Sequence, residues 1–274
     1  MSAATAAPGT GRVGRRRRAL PAPVLGLAGL LALVAVLEVL PRTGVVDPRF
    51  LPPFSDMVAA LGAELGSAEF WAALGDTVRG WAIGLAIAMA AGVVLGIVIG
   101  SVPLLRAATS STIEFLRPIP SVALIPLAVL LFGSSPESTL LLVVYASFWQ
   151  VLVQVLYGVQ DVDPVARETA RSYQFSAWTQ VRTVTWPTAL PYVMTGFRLA
   201  AAVALILEIT GELIIGSPGL GKQIAVAQSS GAVDTMYALV IVTGLFGVLV
   251  NLLARMLERR SLHWHPSVRG EVPR

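Results

Sequence analysis

Glu208 and Glu212 stand four residues apart in the run LILEITGELII, which carries no other charge. Helical spacing puts both carboxylates on one face. Ionisable groups inside so apolar a run are expensive and point to function, here the lining of a path or a gate. Gln150 and Gln154 repeat the spacing on an earlier apolar run, and Glu114 and Arg117, three apart, are placed to pair. The segment GSPGLGK at Gly216–Lys222 fits G-x-x-x-x-G-K. A phosphate-cradling loop needs a strand before it and a Ser or Thr after the lysine for magnesium. Here Gln223 follows and a helix-length apolar run precedes, so the segment reads as a glycine-rich external turn. ATP hydrolysis by this chain is not expected, and no residue is assigned a catalytic role. Cysteine is absent, which excludes disulfides, thiolate metal sites and cysteine nucleophiles. The two histidines, His263 and His265, flank Trp264 in a tail and are too few for a metal site. No metal and no cofactor is expected.

These groups need elements that hold them in an apolar medium. The 274 residues are 55% hydrophobic and 13% charged, with mean hydropathy +0.74. Soluble domains carry roughly 25% charged residues, so the chain reads as an all-α membrane protein. About 20 apolar residues cross a bilayer as a helix, and six runs qualify: roughly 20–40, 77–101, 111–133, 138–158, 190–215 and 234–257. The third holds Pro118, Pro120 and Pro126, and the fifth starts near Pro191. Proline is tolerated in a span where neighbouring protein or water satisfies the freed backbone groups. Those two spans are therefore expected to be bent and enclosed by others.

Lysines and arginines in the connections set the orientation. With the first end inside, the inner segments hold fourteen, including Arg12, Arg15 to Arg18, Arg106, Arg167, Arg171 and Arg182; the outer ones hold Arg42, Arg49 and Lys222. Both termini are thus expected in the cytoplasm. The run GRRRR before the first span also suits a signal peptide, but the apolar stretch is long and no A-x-A site follows, so it reads as an uncleaved span. A pI near 10 suggests nucleic acid, yet the basic residues sit beside apolar runs, and no nucleic-acid partner is expected.

Between the fourth and fifth spans lies a polar island, residues 161–190. About 30 residues cannot build a core of their own. Asp163 suits an N-cap and Pro164 the first helical position. Ala166, Ala170 and Tyr173 recur at helical spacing while Arg167, Glu168 and Arg171 take other faces. Ser176 is placed to cap a second short helix carrying Trp178 and Val181. Such a helix pair either lies on the lipid or docks into a partner's groove.

The stretch ETARSYQFSAWTQVRTVTWPTALP, residues 168–191, resembles the EAA motif of inner-membrane permease subunits of binding-protein-dependent ABC importers. Glu168, Thr169 and Ala170 stand for E-A-A, Gln174 for the glycine, and Leu190–Pro191 for the closing pair. LRPIPSVALIPLAVLLFG at Leu116–Gly133, MTGFRLA at Met194–Ala200, SPGLG at Ser217–Gly221 and LHWHP at Leu262–Pro266 are similar to the sulfonate, taurine and nitrate branch. The likeness covers roughly residues 50–266.

The resemblance implies a type I ABC importer permease fold with a coupling helix between the fourth and fifth spans. It implies that Arg167, Glu168, Thr169, Ala170, Arg171, Tyr173, Gln174, Phe175, Ser176 and Trp178 meet a cytoplasmic ABC ATPase, two copies of which serve two permease copies. It also implies an extracytoplasmic solute-binding protein and a site in the cell inner membrane. Thr169 and Gln174 depart from the pattern. Glycine ends such a helix in a left-handed conformation that other residues adopt at about 1 kcal/mol, so either Gln174 takes that conformation or the helix ends differently.

In a homodimer, two copies of the Glu208–Glu212 pair near one axis would disfavour an anion and suit a neutral or cationic solute such as a pyrimidine or amine. The expected organisation is a basic tail (1–19), a first span with an external loop (20–69), a five-span core holding the coupling loop (70–260) and a second tail (261–274). Two other readings remain at this point. One is an ion-gradient-driven transporter, which would usually show internal repeats that are not evident here. The other is a membrane scaffold that transports nothing.

Overall fold

The computed structural model describes residues 22–264, which form helices and turns with no strand among them. Arg12, Arg15 to Arg18, His265, Pro266, Arg269 and Arg274 lie outside the described residues. The chain divides into two units, residues 1–54 and 55–274.

The first unit holds α1 (Ala22–Arg42). Its 21 residues rise about 31 Å, close to the roughly 30 Å hydrocarbon core. Its apolar side chains stay exposed, Leu27 at 59%, as lipid-facing side chains must be. Arg42 and Glu38 close its last turn with a 2.7 Å ion pair.

The second unit holds all but the first residue of α2 (Phe54–Leu65), in a region expected to be an external loop; α2 buries Met57. In α3 (Ala68–Ser101), Ser67 caps the first turn by accepting from the Glu69 and Phe70 amides. The 34 residues of α3 rise about 51 Å, so one end projects well beyond a bilayer. The third span is broken: α4 (Pro103–Leu116) and α5 (Ile125–Phe132), joined through a short 3-10 turn, meet at 84°. Pro118 and Pro120 explain the break, since neither has an amide N–H to carry the helical hydrogen bonding onward. The Leu116 carbonyl at the break accepts from the Ile119 amide at 3.2 Å and from Tyr145 Oη at 2.7 Å.

The bend was expected; the enclosure of this span was not found. Within one copy α4 buries no side chain and α5 only Ala128. Glu114 and Arg117 do not pair either, the ion pairs of the described residues being Glu38–Arg42 and Arg198–Glu258. Both Glu114 and Arg117 are exposed, where a pair is worth too little to fix two long side chains.

The remaining elements are α6 (Pro136–Gln160), α7 (Pro164–Ser172), α8 (Ala177–Gln180), α9 (Trp186–Ile215), α10 (Leu220–Ser230) and α11 (Val233–Ser261). A π turn at Val181–Thr185 joins α8 to α9. Four helices (α1, α3, α6 and α11) are each long and apolar enough to span, and up to six spans result if each bent pair counts as one. The fifth span starts earlier than expected. Pro191 lies inside α9, and the 43° bend falls at the far end, between α9 and α10. Pro187 sits in the first turn of α9, where no amide donor is required. The end of the expected glycine-rich turn at Gly216–Lys222 is helical, since α10 begins at Leu220.

The core is α3, α6 and α9. Gly84, Gly92, Gly96 and Gly100 of α3 face Val143, Val151, Val155 and Val159 of α6. A β-carbon at any of the four would lie 2.5 to 2.9 Å from its valine, so the two backbones meet with nothing between them but the valine. Lipid offers helices no hydrophobic drive to associate; close backbone approach and van der Waals contact replace it. On its other side α6 meets α9 antiparallel, with Gly158 against Ala189 and Tyr192, Gly196 against Gln154 and Val151, and Gly211 against Thr139. Trp81 of α3 donates to the Ala201 carbonyl of α9 at 2.9 Å.

Candidate functional site

The residues singled out in the sequence gather at the two ends of this core. At one end, α7 starts where its sequence directs. The Asp163 carboxylate accepts from the Val165 amide at 2.9 Å, and Pro164 fills the first position. The Thr169 hydroxyl bonds the Val165 carbonyl at 2.8 Å, which lets Thr169 stand in an exposed turn without an orphaned hydroxyl. Ala170 is the buried residue of α7. Arg167 Nη2 donates to the Val159 carbonyl in the last turn of α6 at 3.1 Å.

The helix ends at Gln174, whose φ of +55° makes it the one non-glycine residue with positive φ among those described. The Gln174 amide bonds the Arg171 carbonyl at 2.8 Å and the Phe175 amide bonds the Ala170 carbonyl at 3.0 Å. This is the Schellman arrangement that glycine usually completes. Of the two outcomes weighed from sequence, Gln174 therefore takes the left-handed conformation. Gln174→Gly is expected to strengthen this helix end by about 1 kcal/mol, read as roughly fivefold slower hydrogen exchange of the neighbouring amides. Unchanged or faster exchange would contradict it.

Ser176 then caps α8, accepting from the Thr179 amide at 3.2 Å. Glu168, Arg171 and Phe175 are exposed, and Tyr173 and Trp178 are 74% and 73% exposed.

At the other end of the core, Glu208 and Glu212 share a face as expected, and that face is buried against α3 and α10. Glu212 is 0% exposed. Its two oxygens accept from the Thr77 hydroxyl at 2.7 Å and the Gly221 amide at 2.8 Å. Thr77 in turn accepts from the Leu220 amide at 2.9 Å. The carboxylate of Glu212 also lies where a β-carbon on Gly219 would stand, and Gly219 has φ +147°. Only glycine meets both demands, so the glycine-rich segment is a turn built around an acid and not a phosphate cradle. Thr139 and Ser217 share a 2.7 Å hydrogen bond beside it.

Glu208 is 5% exposed, occupies the space that a side chain at Gly80 would need, and has one carboxylate oxygen, Oε2, without a hydrogen-bond partner. Gln150 and Gln154 lie half-buried on α6, with Gln154 against Gly196 of α9. Next to Gly219, a cavity of about 480 Å³ opens between α2, α3, α10 and α11, with Glu64, Glu69, Asp76 and Lys222 in its walls.

Reasoning from sequence did not find Thr77, which is 135 residues from Glu212 and carries no local signal. It also passed over Tyr192, whose hydroxyl donates to Asp161 at 2.9 Å.

Residues 92–263 match the family model described as "Binding-protein-dependent transport system inner membrane component". The chain belongs to this family. It is an ABC importer permease, and the match favours that reading over a gradient-driven transporter or a scaffold. The permease is 30% identical over 253 residues to the taurine transport system permease protein TauC of Escherichia coli K12, covering 90% of each chain. It is 32% identical over 241 residues to the putative aliphatic sulfonates transport permease protein SsuC of the same organism, covering 86% of this chain and 90% of that one. Among solved structures it resembles a chain of a bacterial importer of alginate, with TM-score 0.58 and 18% identity over 86% of this permease and 95% of that chain. It also resembles a chain of the inward-facing MetNI methionine ABC transporter, with TM-score 0.55 and 18% identity over 69% of this permease and 93% of that chain. At such identities the likeness speaks for the fold, that of a type I importer permease.

Proposed function

We propose that the α7 end of this permease is cytoplasmic, with both termini on that side, and that α7 and α8 dock on a separate ABC ATPase. Two permease copies pair with two ATPase copies, and an extracytoplasmic binding protein delivers solute at the α10 end. The observation that carries this reading is the pair of aromatics Tyr173 and Trp178, three-quarters exposed on short helices capped by Asp163 and Ser176. Large aromatic surfaces held rigid and exposed beside a charged residue, Glu168, suit the anchoring of a partner. ATP-driven closure of the ATPases would bring the two α7 helices together. The permease pair then switches from inward-open to outward-open, takes up solute and resets after hydrolysis. The chain supplies the path and the lever; the energy comes from ATP on another subunit.

The absence of native cysteine makes the test direct. Trp178→Cys, with a short bifunctional thiol reagent, is expected to capture an ATPase subunit. Failure to capture one from Trp178→Cys, alongside capture from no other position in residues 164–180, removes the docking assignment.

For the solute we propose a small organic sulfonate. Relatives named for taurine and aliphatic sulfonates align over about nine-tenths of their length. The earlier argument for a neutral or cationic solute needed Glu208 and Glu212 to present charge to the path. Glu212 is engaged by Thr77 and Gly221, and Glu208 is packed on Gly80. Gln150 and Gln154 are the better lining: their amide groups donate hydrogen bonds without adding charge. In this scheme Glu212 belongs to the outer gate as the group that fixes its turn.

A further inference from the structure

The end of α6 is bonded to both neighbours that the transport cycle must connect. Val159, in its last turn, accepts from Arg167 of α7 at 3.1 Å. This carbonyl is one of the orphaned acceptors at a helix C-terminus, where a cation is also favoured by the helix dipole. Two residues on, Asp161 accepts from the hydroxyl of Tyr192 in the second turn of α9 at 2.9 Å. Gly158 makes room for that contact, since a β-carbon there would stand 2.9 Å from the Tyr192 β-carbon. The covalent route from α7 to α9 runs differently, through α8 and the π turn at Val181–Thr185. A π turn has wide, less regular hydrogen bonding and interrupts a helix as a rigid rod. Displacement of α7 arriving by that route alone is absorbed there.

We infer that Asp161 and Tyr192, with Arg167, form a clasp that carries the movement of α7 to α9 through the end of α6. Tyr192 and Asp161 are positioning residues: neither touches solute or nucleotide. The inference rests on the coupling role proposed for α7.

The test needs no knowledge of the solute. Ile214, half-exposed near the far end of α9, becomes the single cysteine of an otherwise cysteine-free chain by Ile214→Cys. Its alkylation rate by a maleimide is followed in the complete reconstituted complex, with and without ATP and orthovanadate, alongside ATP hydrolysis. In the parent, nucleotide changes the rate. In Tyr192→Phe, which keeps the ring on Gly158 and removes only the hydroxyl, the nucleotide-induced change is expected to shrink by about three- to tenfold, the range expected for losing one hydrogen bond. ATP hydrolysis should stay within about twofold of the parent. Asp161→Ala should behave like Tyr192→Phe, and combining the two should add nothing further. Asp161→Asn, whose carboxamide oxygen still accepts from the hydroxyl, should restore the parent response. A full response in Tyr192→Phe overturns the clasp, and so does a parallel loss of hydrolysis and response. A parent complex in which Ile214→Cys never responds to nucleotide overturns the coupling role of α7 as well.

Discussion

Glu168→Lys is expected to abolish ATP-driven uptake while leaving the permease inserted in the membrane. Glu168 is exposed on α7 and has no ion pair among the described residues. Its replacement therefore costs the fold nothing local. Lysine and glutamate form helices about equally well, and a cation in the last turns of a helix is favoured by its dipole. What changes, on the proposed docking, is the surface offered to the ATPase. Reversing a charge at a matched contact costs several kcal/mol, and each 1.4 kcal/mol is tenfold in affinity, so association should fall by more than about a hundredfold. The measurement is uptake of taurine, ethanesulfonate and nitrate into vesicles holding the complete importer. The parent should import a sulfonate; Glu168→Lys should import none, with equal amounts of protein in the membrane. Normal uptake by the variant would remove Glu168 from the docking face.

The second large effect is expected at Glu212→Ala. Glu212 is wholly buried and accepts two hydrogen bonds, from the Thr77 hydroxyl and the Gly221 amide. Truncation orphans both donors and empties the space beside Gly219. Each orphaned buried group costs about 1–3 kcal/mol, so the loss should reach about 3–5 kcal/mol, in the range reserved for broken buried networks. Thermal unfolding in detergent should show it as a large drop in midpoint. Glu212→Gln should fall between, because a carboxamide offers one acceptor oxygen and turns its NH₂ toward a donor. An alanine variant as stable as the parent would mean that the turn after α9 does not depend on this acid.

Local chemistry was legible in the sequence, and long-range pairing was not. Asp163, Pro164 and Ser176 cap α7 and α8 as their types and positions direct, since a cap involves residues two or three apart. The cost at Gln174 was visible for the same reason, because only a left-handed residue closes that helix end. The apolar runs located the spans, but a run of apolar residues says nothing about whether its helix is continuous. Pro118 and Pro120 marked the bend of the third span in advance, whereas nothing in the run showed that α9 starts upstream of Pro191. Glu208 and Glu212 share a face as their spacing requires. Their neighbours Gly80 and Thr77 come from a helix over a hundred residues earlier, so the surroundings of that face were hidden. Glycines every fourth or eighth residue on α3 were in plain sight, but spacing alone does not name the helix they meet.

That row of glycines has a mechanical consequence. From Gly84 to Gly100, α3 lies backbone to backbone against α6, each glycine facing a valine 59 positions later. Along about 24 Å no long, pliable side chain sits at these crossings to change rotamer and take up play. Two rods seated this closely behave as a single girder. Whatever opens and shuts during transport must swing around that girder.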